Sequence, residues 1–468
     1  MKKIELLPTV ENLYQSFIDD SIGRNTDLCY FIDFLDSIEE NYSIALDGSW
    51  GSGKTFFVKQ AEMILSVSNE FYKSEYLDYK DDIIKTYCSF CGRTGIETKD
   101  NLLVPIYYDA WKYDNEDDPI LSIVYEIISV LDNEYDFEKD LNASDVFGGI
   151  IKEFTKIDIK DFKPSDDFKS IKSTRSIKER IDSFFDNTLV ERGNKIVIFI
   201  DELDRCKPTY AIKLLERIKH YFNHNNIVFV FSTNLEELQH SVKTVYGSEF
   251  SAYRYLDRFF DLKIQMPIVD NEKYYNYISG KGSDVFFDRI CKIIIEKYHF
   301  ELRDQIKFFQ YLQSTSFYLA KNSSMYDEYS LCLHFLSPII IALYIYDFDT
   351  YKGFISGNNI QPLEYIVQDS RLFKTFYKYY YEITVSHEEA QKGEFEIEIE
   401  GIKKTSKEYL NELYKAIFPI DIKMNGYINV GCLVITNETK NYLQRITSAI
   451  SRDAYRNKMQ SKNGGGTK

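Results

Sequence analysis

Residues 48 to 55 read Gly48-Ser49-Trp50-Gly51-Ser52-Gly53-Lys54-Thr55, a complete G-x-x-x-x-G-K-[ST] pattern. Such a loop constrains the fold on both sides of it, because it functions only between a strand and a helix. Tyr42 to Asp47 in front reads as a buried strand, and Thr55 to Ala61 behind reads as the first turns of a helix. Gly48, Gly51 and Gly53 let the backbone wrap so that its N–H groups converge on phosphate oxygens at a helix N-terminus. Lys54 is then placed to reach the β- and γ-phosphates, and the Thr55 hydroxyl to ligate Mg²⁺. The plain alternative is a glycine-rich turn without a ligand; two further motifs in register weigh against it. The expectation is a nucleoside triphosphate held by Gly48, Ser49, Trp50, Gly51, Ser52, Gly53, Lys54 and Thr55.

The second motif is an apolar run, Ile196 to Ile200, that ends in Asp201-Glu202-Leu203-Asp204-Arg205-Cys206. A strand ending in Asp-Glu beside a phosphate loop supplies a carboxylate for the Mg²⁺ shell, here Asp201, and one to polarise the attacking water, here Glu202. A solvated acidic turn is the structural alternative. A third strand, Val228 to Phe231, ends in Ser232-Thr233-Asn234, which places Asn234 either between the γ-phosphate and the water or as an Asx turn or helix cap. Asn234-Leu235-Glu236-Glu237 lacks the Asn-Lys-x-Asp signature of guanine readers, so adenine, and hence ATP with Mg²⁺, is the expected ligand. In Ala252 to Phe260, Arg254 and Arg258 fall at i and i+4 of an expected helix. Either is a candidate to stabilise transition-state charge, in trans across a subunit interface, or is a solvated surface arginine.

Strands alternating with helices (Leu102 to Tyr108, Pro119 to Leu131, Lys195 to Ile200, Thr209 to Phe222, Ile227 to Phe231) predict an α/β fold with a three-layer parallel-sheet core. After residue 270 the pattern becomes mainly helical, from Glu272 to Leu319 and from Leu331 to Tyr346. A few strands, near Glu394 to Glu400 and Tyr427 to Ile435, interrupt it. The expected domains are 1–270, with an exposed charged insertion at 132–175, then 271–455, and a disordered tail at 456–468. With 57 basic against 73 acidic residues the net charge is −16, which disfavours non-specific nucleic-acid binding. The apolar stretch Leu331 to Tyr346 is broken by His334, Ser337 and Pro338 and falls short of the about twenty residues that span a bilayer. No signal peptide is visible, and the seven scattered cysteines fit a reducing compartment, so a cytoplasmic location is expected.

Taken together, these residues resemble the KAP family of P-loop NTPases over about residues 14 to 270. The resemblance is carried by Asp20-Ser21-Ile22-Gly23-Arg24, by the tryptophan-containing loop at 47–55, and by Asp109-Ala110-Trp111-Lys112-Tyr113. Asp201-Glu202-Leu203-Asp204-Arg205-Cys206-Lys207-Pro208 and Tyr255-Leu256-Asp257-Arg258-Phe259-Phe260 complete it. It implies a RecA-like or STAND-type ATPase core with Arg24 near the base, and an association of bacterial members with plasmids, mobile elements and exclusion of phage. The sequence departs from the family in two places: the segment between the two motifs is polar where many members carry membrane helices, and Asn234 stands where an aspartate is expected. The functional expectation is an ATPase that couples binding and hydrolysis to a conformational or assembly switch, with self-association or a partner protein from the same operon. The alternative is a nucleotide-gated binding or scaffold module with little turnover; a small-molecule kinase fits poorly, since no acceptor site is identifiable. Cys88-Ser89-Phe90-Cys91-Gly92 has the look of half a zinc site, which His220 and His224 would have to complete, against a simpler reading as two unliganded thiols.

Overall fold

A computed structural model of the chain describes residues 7–72, 74–93, 102–116, 118–131, 193–279, 285–319, 330–399, 402–431 and 433–450. The insertion expected at 132–175, Ser176 to Leu189 (whose spacing predicts an amphipathic helix), Cys432 and the tail from 456 lie outside the described residues. The chain divides into two compact units, Leu6–Asp270 and a second that begins at Asn271.

The first unit is built on five strands: β1 (Tyr42–Asp47), β2 (Leu103–Asp109), β3 (Lys195–Asp201), β4 (Ile227–Thr233) and β5 (Leu262–Gln265). Their order is β2-β3-β4-β1-β5, and every pairing is parallel. The central strands are near-continuous apolar runs because helices cover both faces of the sheet. Alternation still divides the residues between the two faces. Ile106, Tyr108, Ile196, Ile198, Ile200, Phe229 and Phe231 pack with the helices Pro119–Leu131 (α5) and Pro208–Tyr221 (α6). On the opposite face the helix Lys54–Ser68 (α3) packs on β2 and β4. The first helices, Val10–Ile18 (α1), Asn25–Ser37 (α2) and Lys80–Cys91 (α4), gather around α3. Pro105, which cannot donate to a ladder, lies in β2 at the sheet edge, where its missing N–H is tolerated. The Tyr108 phenol, buried among these apolar side chains, is satisfied: its Oη lies 2.7 Å from both Ser122 Oγ and Tyr210 Oη.

The register levels the carboxyl ends of the strands. Asp109 pairs with Asp201, Asp201 with Ser232, and Asp47 with Thr233. Polar residues thus emerge together along one edge of an otherwise apolar sheet, the edge where open α/β sheets place their ligands.

The second unit is mainly helical, as the sequence pattern predicts, with two short hairpins, Glu396–Ile399 with Ile402–Thr405 and Ile428–Val430 with Leu433–Ile435. Tyr427 to Ile435, expected as one strand, contains both strands of the second hairpin, because a lone strand has no ladder partner. Apart from the half-buried His334, Leu331 to Leu343 is buried within this unit, and among the described residues no helix is long and apolar enough to cross a membrane. A cleft of about 690 Å³ in this unit is lined by Lys292, Arg289 and Arg371. Its cations are already engaged: Lys292 with Glu272 (3.1 Å), Arg371 with Glu296 (2.8 Å) and Arg289 with Thr375 Oγ1 (2.8 Å).

Phe229 has no solvent exposure and meets Phe222 edge-on at 5.9 Å. Truncation to Ala should cost the first unit about 3–5 kcal/mol. Both tryptophans of the chain, Trp50 and Trp111, lie in this unit. Denaturation followed by tryptophan emission therefore reads the loss directly, and an unchanged midpoint would contradict this packing.

Candidate nucleotide site

The loop after β1 is shaped by two different demands on its glycines. Gly51 and Gly53 take φ of 91° and 88°, a left-handed conformation costly for other residues. Gly48 is constrained by contact instead, since a Cβ there would lie 2.7 Å from Met266 Cγ and 2.9 Å from Ser52 Oγ. Gly53 is the N-cap of α3 and offers no side-chain cap, which leaves the first N–H groups of that helix to an outside acceptor. Ser52 is buried, and among the described residues its Oγ has no hydrogen-bond partner. Lys54 is 9% exposed and folds back on its own loop, donating to the carbonyls of Gly48 (2.6 Å) and Ser49 (3.1 Å). Burial lowers its pKa, opposed by the charges of Asp204, Asp201 and Glu202.

Arg24 lies beneath the loop. It is 6% exposed, and its Nη1 donates to the Ser52 carbonyl at 2.7 Å. The family resemblance puts this residue near a base; the geometry makes it a brace for the phosphate loop.

Asp201 ends β3 with no exposure to solvent. Its carboxylate accepts from Tyr107 Oη (2.9 Å) and from the Glu202 N–H (3.0 Å); burial raises its pKa, only partly offset by hydrogen bonding, with Thr55 foremost. Glu202 follows at φ 60°, ψ 24°, a left-handed conformation for a residue that is not glycine. Its carboxylate accepts from Thr55 Oγ1 at 3.4 Å and is ion-paired with Arg205. The Arg205 guanidinium in turn lies 5.7 Å from the Trp111 ring centroid. Burial pushes the Glu202 pKa up to about 7, aided by the neighbouring Asp201 charge and opposed by Arg205. Thr55, Asp201, Glu202 and Lys54 are thus gathered in one place, from two motifs separated by most of the domain.

Several polar groups at this edge are not legible as site residues in the sequence. Asp204, in the short turn after β3, accepts from Trp50 Nε1 at 2.5 Å and from Thr233 Oγ1 at 3.2 Å. Asp47 accepts from the Leu235 N–H and from Gln265 Nε2, both at 2.9 Å. Tyr107 is the donor to Asp201. The signal that could have found Asp204 is the tryptophan in the loop, whose N–H needs an acceptor when its ring is held against the protein.

The remaining expected residues are placed as follows. Asn234 caps the helix Leu235–Tyr246 (α7): its Oδ1 accepts from the N–H groups of Glu236 (3.0 Å) and Glu237 (3.3 Å). The cap reading accounts for its carbonyl; Nδ2 is not used by the cap. Arg254 and Arg258 are exposed, and among the described residues neither bonds to the loop or to Glu202. The single helix expected across them stops at Leu256, at the end of Ala252–Leu256 (α8), so they do not share a helical face. The chain tightens into a turn there, with Arg258 N donating to Tyr255 O, because Phe259 and Phe260 are consecutive and both buried. Cys88 and Cys91 lie in the last turns of α4; His220 is on α6 and His224 just beyond it. Among the described residues, no three His, Cys, Asp or Glu gather as a metal site.

The family profile of the KAP family P-loop domain matches residues 28–315. This chain belongs to the KAP family. No curated protein matches it. The KAP match begins past Arg24 and runs beyond Asp270 into the helix Leu302–Leu319, further along the chain than the resemblance by motifs extends. Nucleotide binding and hydrolysis are the chemistry that this family's P-loop domain supports.

Replacing Arg24 with Ala removes a buried, charge-assisted hydrogen bond from the loop, a change of about 1.5–3 kcal/mol. Calorimetric titration with nucleotide should show affinity about ten-fold weaker or worse; unchanged affinity would rule out the bracing role.

Proposed function

We propose that the chain is a Mg²⁺-dependent ATPase that uses ATP binding and hydrolysis as a conformational or assembly switch. The observation that carries this reading is Glu202. A glutamate held in a left-handed backbone conformation, directly after a fully buried aspartate and with its carboxylate against Thr55 Oγ1, is costly unless its position matters.

In this reading the loop N–H groups and Lys54 hold the triphosphate, with Lys54 exchanging its bonds to the Gly48 and Ser49 carbonyls for phosphate oxygens. The unpartnered Ser52 Oγ and the uncapped start of α3 fit an oxyanion, and a hydroxyl beside a buried carboxylate is a donor set suited to a hard cation. Thr55 and Asp201 would hold Mg²⁺, which supplies charge neutralisation at the phosphates. Glu202 accepts the proton of the attacking water, for which a pKa near neutrality suits it. Asn234 offers Nδ2 to the γ-phosphate side, and Arg254 and Arg258, exposed on the same unit, are the positions from which a neighbouring copy's site would be completed. Defence against phage or mobile elements, acting with itself or an operon partner, rests on the family resemblance alone; a cytoplasmic location rests on the scattered cysteines.

A second reading, a nucleotide-gated scaffold with slow turnover, is favoured by one observation. Both Glu202 oxygens and Lys54 Nζ are already engaged within the protein, by Arg205, Thr55 and the loop carbonyls.

Steady-state hydrolysis of Mg-ATP separates the two. The switch ATPase predicts turnover in wild type, a loss of about 10²–10⁴-fold in Glu202→Gln with ATP still bound, and loss of binding in Lys54→Ala. Binding without turnover in wild type, at any ATP concentration, would favour the scaffold.

A further inference from the structure

The phosphate loop uses position 50 only for its backbone, yet this chain places there a tryptophan that is 49% exposed. Its ring is held, not free: Nε1 donates at 2.5 Å to Asp204, a residue 8% exposed. The second oxygen of that carboxylate accepts from Thr233 Oγ1, itself fully buried at the end of β4, and the Thr233 carbonyl accepts from the Gly48 N–H at 3.2 Å. One carboxylate therefore ties together the tip of the phosphate loop, the end of β4 and the turn Leu203–Arg205. That turn begins at Glu202 and carries Arg205, the partner of the Glu202 carboxylate.

We propose that Trp50 and Asp204 are positioning residues that report occupancy of the phosphate loop to Glu202. The inference rests on the nucleotide-site reading above. When phosphate displaces Lys54 from the Gly48 and Ser49 carbonyls, the loop tip between Ser49 and Gly51 must readjust. The indole N–H carries that readjustment into Asp204, and the turn it belongs to resets Glu202 against Arg205. Neither side chain needs to touch the reacting atoms. A tryptophan suits this task because its rigid ring transmits a displacement with few rotatable bonds, while its polar edge fixes the contact point.

The test uses the full chain with Trp111→Phe as the reference, so that Trp50 is the remaining tryptophan. Three derivatives are compared with that reference: Trp50→Phe, which keeps a ring and removes the N–H; Asp204→Asn, which keeps shape and removes the charge; and their combination. Calorimetry with ATP and Mg²⁺ establishes binding, steady-state assays give kcat and KM, and Trp50 emission is recorded with and without nucleotide. Each single change should lower kcat by about ten-fold or more with KM within about three-fold, and the combination should be no worse than the poorer single. In the reference, Trp50 emission should shift on ATP addition; in Asp204→Asn, ATP should bind without that shift. Should hydrolysis be too slow to assay, the emission comparison alone decides. Additive losses in kcat, kinetics equal to the reference, or an emission shift that survives Asp204→Asn would each overturn the coupling. Absence of ATP binding to wild type and reference alike would instead overturn the nucleotide-site reading, and this inference with it. Because Trp50 is half exposed, Trp50→Phe keeps the test open if Asp204→Asn fails to fold.

Discussion

Asp201 carries its carboxylate to the end of a strand from which water is excluded, where it accepts from a phenol and a backbone N–H and, among the described residues, is bonded to no cation. An ionised group so placed carries a desolvation cost that neutral donors only partly offset, which is why its pKa is raised. The strand cannot be moved to relieve it, because β3 lies between β2 and β4 in a sheet covered on both faces. The surrounding geometry follows from that constraint. Tyr107 pairs from the edge strand, Thr55 approaches from α3, and the next residue turns sharply through a left-handed conformation to begin the turn that holds Asp204 and Arg205. In the proposed reading, a divalent cation arriving with the triphosphate would supply the positive charge that Asp201 lacks.

The resting arrangement is one of mutual occupation. Lys54 is bonded to the carbonyls of its own loop, Glu202 to Arg205 and Thr55, and Trp50 to Asp204. Among the charges facing Lys54, that of Asp204 does most to oppose the lowering of its pKa by burial. These contacts keep buried charges from standing alone, which would be strongly destabilising. In the proposed reading, nucleotide enters by exchange of these partners, and that exchange would let binding at the loop be felt at the acidic strand end.

How much of this could be read from sequence divides along physical lines. The phosphate loop and the Asp201-Glu202 pair were legible because each is a local pattern whose chemistry fixes residue type and spacing. The strands β1, β3 and β4 were legible because burial on both faces demands unbroken apolar runs. Strand order was not, since lateral pairing of parallel strands is decided by contacts distant in sequence. β5 was missed for a related reason: Leu262 to Gln265 is short and only half-buried, and it becomes a strand by pairing with β1. Asn234 left two readings open because one amide can cap a helix and face a ligand, and residue type does not say which atom does what. The turn at Leu256 was hidden because the helical spacing of Arg254 and Arg258 competes with the burial of adjacent Phe259 and Phe260, and burial prevailed. Asp204 escaped because its importance lies in a contact 154 positions back along the chain.

The most direct test of the central claim is equilibrium titration of the purified chain with a slowly hydrolysed ATP analogue, with and without Mg²⁺, beside Asp201→Asn. The account predicts one analogue bound per chain, an affinity that depends on Mg²⁺, and loss of that dependence in Asp201→Asn. Binding that ignores Mg²⁺ in wild type, or no binding at millimolar analogue, would contradict it.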